Sequence, residues 1–252
     1  MSIEAVALSV VMAVASGLIG CFAVMRRMSL AADPLSHVAL PGIGIALALR
    51  INPIFGAAAL LFFGALLVWA LEQRTRAATE TMIGIVFSAA LAVGSMMTSG
   101  EDLIDALFGT RSALSTSELT FGLVAAVAVI GFILTQRDGL IVMLVSPEVA
   151  RTTGINVSRL NLLYLEAFAL TIALGLRYLG VLLMGALIIV PAATAKGVAR
   201  NLTGMLYLSA GIAVLATIVG TWAGAWLHRA SGPLIVMTAT CVFLLSLARK
   251  PT

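Results

Sequence analysis

Charge is what this sequence has least of. Asp, Glu, Lys and Arg make up 10% of its 252 residues, against roughly a quarter in a soluble domain. So little charge cannot cover a folded surface with polar groups, so lipid solvates much of the chain. Cysteine is nearly absent. Cys21 and Cys241 each sit inside an apolar run, and their number and spacing exclude a disulfide framework or a zinc knuckle. No basic stripe occurs: the 15 Lys and Arg are scattered between apolar runs. A nucleic-acid partner is therefore not expected, despite a sequence pI near 9.6. There is no Gly-rich phosphate loop of the Walker type, which excludes an ATP site within the chain.

What is present is apolar: 61% of residues, with a mean hydropathy of +1.12. Nine apolar segments are legible, at 5–25, 30–49, 53–71, 82–98, 119–135, 161–176, 178–195, 206–227 and 233–248. Several are near or below the ~20 residues a full span requires. The expectation is an all-α, polytopic membrane helix bundle of seven to nine spans, forming one transmembrane domain over residues 1–252. The first segment has no basic region ahead of it and is followed by Arg26 and Arg27, which predicts a retained span rather than a cleaved signal.

The basic residues orient this layout. With nine crossings and the N-terminus outside, Arg26, Arg27, Arg74, Arg76, Arg137, Arg151, Arg159, Lys196, Arg200, Arg249 and Lys250 fall inside. Arg50, Arg111, Arg177 and Arg229 fall outside. Eleven against four is a clear positive-inside bias. The acidic cluster Glu101, Asp102 and Asp105 then lies outside.

The longest inner loop, about 137–160, has structure written into it. Ser146-Pro147-Glu148 reads as a helix start, with Ser as N-cap, Pro in the first position and Glu in the first turn. Gly154 reads as its stop. The pattern predicts a helix over Pro147–Thr153, with Val149 and Ala150 offering a small apolar surface beside Glu148 and Arg151. Ser158 reads as the start of the next span. A helix this short is not stable alone in water, so the membrane ends or a partner protein must hold it.

Two acids, Asp33 and Glu166, stand in apolar runs. An acid at a helix centre costs ~2.5–3.5 kcal/mol on insertion scales, so each asks for a reason. Asp33 lies six residues beyond Arg27, ~9 Å along a helix. His37 follows one turn later on the same face, ~15 Å from Arg27 and close to the bilayer midplane. A carboxylate stacked on an imidazole suits a divalent cation: the carboxylate favours harder ions such as Mn²⁺, the imidazole Zn²⁺ and Fe²⁺. Two ligands make a weak site, which is what a transit site requires. An ordinary reading stands beside this one. Asp33-Pro34 also reads as an N-cap with Pro following, and His37 as donor to a backbone carbonyl. Glu166 reads as a residue near the inner surface. His228, the other histidine, falls at the outer end of a span. Pro41 and Pro191, inside apolar runs, predict kinks.

These residues carry a resemblance. The stretch Gly20-Cys-Phe-Ala-Val-Met-Arg-Arg-Met-Ser-Leu-Ala-Ala-Asp33-Pro-Leu-Ser-His37-Val-Ala-Leu-Pro-Gly42 resembles the early motif of the membrane permease subunits of ATP-binding-cassette importers for zinc, manganese and iron. Ala106-Leu-Phe-Gly109 resembles that family's outer-loop motif. Ser146-Pro-Glu-Val-Ala-Arg-Thr-Thr-Gly-Ile155 resembles its coupling loop, and Gly180 through Ala195 its late motif with Pro-Ala-Ala-Thr-Ala. The resemblance implies a homodimer in a bacterial-type inner or plasma membrane. It implies a cytoplasmic ATPase subunit docking on Pro147, Glu148, Val149, Ala150, Arg151, Thr152, Thr153 and Gly154. An extracytoplasmic metal-binding protein would deliver the ion, Asp33 and His37 would contact it, and no cofactor would be tightly bound. Where the family's last motif has an acidic residue and a proline, this chain departs and reads His228 and Ala230 ahead of Gly232; His228, at the outer end of its span, is the candidate to meet an ion entering there. The rival reading is an ion-gradient-driven secondary transporter, which would show inverted repeats and more intramembrane acids. An intramembrane enzyme would require a richer catalytic set than one Asp–His pair. Neither signature occurs.

Overall fold

A computed structural model of the chain describes residues 3–29, 31–51, 53–75, 77–97, 116–179 and 181–248. The Glu101–Asp105 cluster, Ala106–Gly109, Arg76, Arg111, Gly180, Arg249 and Lys250 lie outside the described residues. Among the described residues there are twelve helices: α1 (Ile3–Met25), α2 (Ala32–His37), α3 (Ala39–Ala48), α4 (Pro53–Arg74), α5 (Thr79–Met97), α6 (Thr116–Thr135), α7 (Arg137–Val145), α8 (Pro147–Thr152), α9 (Val157–Leu179), α10 (Val181–Val198), α11 (Leu202–Leu227) and α12 (Ser231–Leu247).

Six of these helices are long and apolar enough to cross a membrane: α1, α4, α5, α6, α9 and α11. The shorter α10 and α12 and the pair α2–α3 account for the other three apolar segments. The segment expected at 30–49 is therefore not one continuous helix. It breaks at Val38, whose N–H bonds Leu35 O at 3.1 Å, three residues back. Val38 keeps helical torsions (φ −62°, ψ −20°), so the break is a tightened turn and not a reversal. Pro41 is the physical cause. It has no N–H to give the carbonyl of His37, and its ring crowds that carbonyl.

The bundle is built around α1, which packs against α6, α9, α10 and α11. Within lipid, helices gain little from burying apolar surface, so close approach and interhelical hydrogen bonds hold them together. Both occur here. A Cβ on Gly20 would lie 2.0 Å from the Ile188 carbonyl oxygen of α10, and one on Gly17 2.9 Å from the backbone of Ser209 and Ala210 in α11. Ser209 Oγ donates to Gly17 O at 2.7 Å, and Tyr164 Oη of α9 donates to Ile19 O at 3.2 Å. The same device joins α3 to α4, where Gly42 and Gly56 meet backbone to backbone. Large apolar side chains such as Phe55, Phe63, Phe121, Trp222 and Trp226 point outward, as a lipid-solvated surface requires.

These contacts set the directions of the helices. Arg26, at the end of α1, meets Asn161 near the start of α9, and Cys21 meets Met205 near the start of α11. So α9 and α11 run antiparallel to α1. Met184 of α10 packs on Gly175 of α9, which turns α10 back parallel to α1. The ends of α1 and α4 and the starts of α9 and α11 thus share one end of the bundle, with α7 and α8 beside them.

Candidate functional site

Asp33 and His37 occupy the first and last turns of α2. Ala31, not Asp33, holds the N-cap position, and no side chain caps this helix. The ordinary reading of Asp33 as a cap therefore does not hold. Its carboxylate is exposed and has no hydrogen-bond or ion-pair partner among the described residues. Ser36 Oγ donates to the Asp33 carbonyl at 2.6 Å, bracing the turn between the two side chains. His37 is half-buried, its ring 5.7 Å from that of Phe87 in α5. Its Nδ1 is buried without a partner, so the expected backbone bond is not made there. Asp33 and His37 are separated by one helical turn and share a face.

Depth follows from packing. Asp33 backs onto Gly185 of α10, where a Cβ would lie 3.5–3.6 Å from its N, Cα and Cβ. Gly185 is one turn before Ile188, which touches Gly20. Counting back along the parallel helices, Asp33 lies level with Gly17, about 14 Å from the level of Arg26 at 1.5 Å per residue. The carboxylate thus stands within the apolar layer, not at its edge. Among the described residues no group of three or more His, Cys, Asp or Glu gathers to hold a metal ion. Among those residues, Asp33 and His37 stand together as a pair and no third such group joins them.

His228 does not join them. It is exposed in the turn between α11 and α12, and its left-handed backbone (φ 51°, ψ 35°) ends α11. From Ser209, which meets Gly17, it lies about 28 Å further along α11. Glu166 is half-buried in α9, and among the described residues no hydrogen bond or ion pair joins it to Asp33 or His37.

The inner-loop helix forms as its caps dictate. Helix α8 spans Pro147–Thr152, with Thr153 as C-cap where the sequence predicts a last helical residue. Ser146 is extended (φ −153°, ψ 104°) and its Oγ accepts from Val149 N at 3.3 Å. Gly154 takes φ 83°. Gly154 N then bonds Arg151 O at 3.2 Å and Ile155 N bonds Ala150 O at 3.0 Å, the paired bonds of a Schellman stop. The surface differs from expectation at one residue. Ala150 is fully buried and anchors the helix, leaving Val149, 51% exposed, as its apolar surface beside Pro147, Glu148, Arg151 and Thr152. A second difference lies just after it: Asn156 caps α9 by accepting from Arg159 N at 3.0 Å, while Ser158 is already helical. A helix not foreseen, α7, leads into α8 and buries Leu140 and Met143.

Sequence reading also missed a polar chain at this end of the bundle. Arg26 Nη2 donates to Asn161 Oδ1, Asn161 Nδ2 donates to Glu72 Oε2 at 2.8 Å, and Thr79 Oγ1 donates to Glu72 Oε1 at 2.6 Å. The Arg26 guanidinium also lies 4.9 Å over the Tyr164 ring. A cleft of about 340 Å³ opens beside this chain, lined by Arg26, Glu72, Pro147, Arg151, Ser158 and Asn161 among others. No local pattern announces these partners, which are 135 and 89 residues apart.

Known proteins share this architecture. The ABC 3 transport family model matches residues 1–250. The manganese transport system membrane protein MntC of Listeria monocytogenes is 32% identical over 252 residues, covering 98% of this chain and 90% of the relative. The high-affinity zinc uptake system membrane protein ZnuB of Haemophilus influenzae is 31% identical over 248 residues, covering 96% and 94%. The structure of PsaBC from Streptococcus pneumoniae in complex with Fab superposes with a TM-score of 0.82 at 28% identity, covering 97% of this chain and 90% of that one. Together with its apolar helices, these matches make the chain a multi-pass bacterial plasma-membrane protein that belongs to the ABC 3 transport family.

Proposed function

We propose that this chain is the permease subunit of an ATP-driven importer of a divalent transition-metal ion: Mn²⁺, Zn²⁺ or Fe²⁺. One observation carries the ion-handling part. An unpartnered carboxylate and an imidazole with a buried, unpartnered Nδ1 stand one turn apart inside an apolar bundle. Such groups are costly in lipid and persist where they line a water-filled path or meet a cation.

A second copy of the chain completes the site. The exposed Asp33 cannot face lipid, and two copies meeting over α2 bring two carboxylates and two imidazoles to one passage. Four ligands drawn from two subunits hold an ion loosely enough to release it when the subunits shift. The relatives named for manganese and zinc transport support this choice of cargo. ATP hydrolysis belongs to a separate cytoplasmic ATPase subunit that grips α8 through Pro147–Gly154. An extracytoplasmic metal-binding protein delivers the ion at the outer face. The contacts that differ between inward- and outward-open states supply the coupling.

The test is uptake by His37→Ala in vesicles holding the complete transporter. Uptake falls at least tenfold while the variant still inserts and still retains its ATPase subunit. Wild-type accumulation by that variant removes His37 from the path.

A further inference from the structure

The chain Thr79–Glu72–Asn161–Arg26 links α5, α4, α9 and α1 at the end of the bundle that carries α8. Every link is specific. Glu72 accepts at both oxygens. Asn161 accepts through its carbonyl and donates through its amide, so flipping the amide loses both bonds. Trp69 Nε1 adds a second tie from α4 to the start of α9, donating to Ser158 O at 3.0 Å.

Asn161 stands between two short connections. On one side, Thr153–Asn156 joins α8 to α9, and the paired bonds at Gly154 and Ile155 make that joint a defined turn. A displacement of α8 is therefore passed to the first turns of α9, where Asn161 sits. On the other side, Arg26 closes α1 and stands six residues before Ala32, the first residue of Asp33's helix, α2. Arg27 takes the left-handed conformation at φ 60°, and Met28 N bonds back to Ala23 O at 2.8 Å. The turn into α2 is thus pinned next to the residue that Asn161 holds. Arg26 also keeps donors in reserve. Its Nη1 is buried without a partner, and Arg26 lines the cleft whose walls include Pro147 and Arg151.

We propose that Asn161, bridging Arg26 and Glu72, is a positioning residue that ties the place of α8 to the place of the Asp33–His37 helix. It keeps ATP hydrolysis and ion passage in step. This inference rests on α8 being the ATPase docking element.

A plain structural staple would hold the same helix ends together, but its loss would lower hydrolysis and transport alike. The distinguishing quantity is metal ions moved per ATP hydrolysed, measured with the complete transporter in liposomes supplied with Mn²⁺ or Zn²⁺. Asn161→Ala removes both bonds. Asn161→Asp keeps the acceptor for Arg26 and sets a second carboxylate against Glu72, which guards against a folding failure of the first variant. In both, hydrolysis stays within twofold of wild type and ions per ATP fall at least tenfold. An unchanged ratio in both variants overturns the proposal, including the case where the two activities fall together. Val149→Asp separates this failure from that of the docking reading. Loss of the ATPase subunit in Val149→Asp together with an unchanged ratio in the Asn161 variants sinks the link alone. Full retention of the subunit in Val149→Asp sinks both.

Discussion

Alanine at Gly20 strikes the tightest approach along α1. The new Cβ would stand 2.0 Å from the Ile188 carbonyl oxygen and 2.9 Å from its carbon. Real Cβ atoms essentially never come within 3.0 Å of such a neighbour, so α1 and α10 must part by about 1 Å or more, an overpacking strain of the kind that costs ~1–3 kcal/mol. The upper end applies, because the obstacle is backbone on an adjoining helix and no rotamer change relieves it. For a chain of this size each kcal/mol lowers the melting temperature by about 2–4 °C, so a fall of roughly 6–12 °C is expected. The damage also reaches the site, because Gly185 on the displaced α10 is the shelf behind Asp33. Thermal unfolding of the purified protein in detergent measures the first effect, and metal uptake in vesicles the second. Gly131→Ala is the control, since nothing lies within 4 Å of its added Cβ. Wild-type melting by Gly20→Ala would show that α1 and α10 do not meet as closely as the packing requires.

Two further outcomes follow from α8. Val149→Asp, on a side chain 51% exposed, leaves the melting temperature unchanged yet abolishes co-purification of the ATPase subunit; retention of the subunit argues against docking there. Gly154→Ala meets no atom within 4 Å but forces alanine to φ 83°, costing ~1–2 kcal/mol; hydrogen exchange across 147–155 then speeds up by about 5–30-fold, and Gly154→Asn shows a smaller effect.

The parts of this molecule legible in its sequence are those governed by local rules. Ser146, Pro147 and Gly154 fix α8 to within a residue, because a cap acts on atoms three or four residues away. The apolar segments became helices because hydropathy is also local. What stayed hidden depends on partners far along the chain. No local pattern marks Arg26, Glu72 or Asn161, and only the packing of α1, α4 and α9 joins them. Likewise Asp33-Pro34 has the letters of a cap, but α2 begins two residues earlier than that cap would start it, at Ala32, with Ala31 as its cap. The break expected from Pro41 falls three residues ahead of it, since a proline weakens the turn that precedes it.

That break bears on function. Six residues are too few to form a helix unaided, so α2 exists because α10, α5 and α9 enclose it. It is bounded by the left-handed turn at Arg27 on one side and the tightened turn at Val38 on the other. Asp33 and His37 therefore share one small body whose position is set by its neighbours and not by a rod running across the membrane. A continuous span would fix both side chains relative to both membrane faces. A short, enclosed segment shifts with α10, α5 and α9, carrying carboxylate and imidazole together. If the pair serves as the proposed transit site, a modest rearrangement of those neighbours is enough to change how carboxylate and imidazole face the ion.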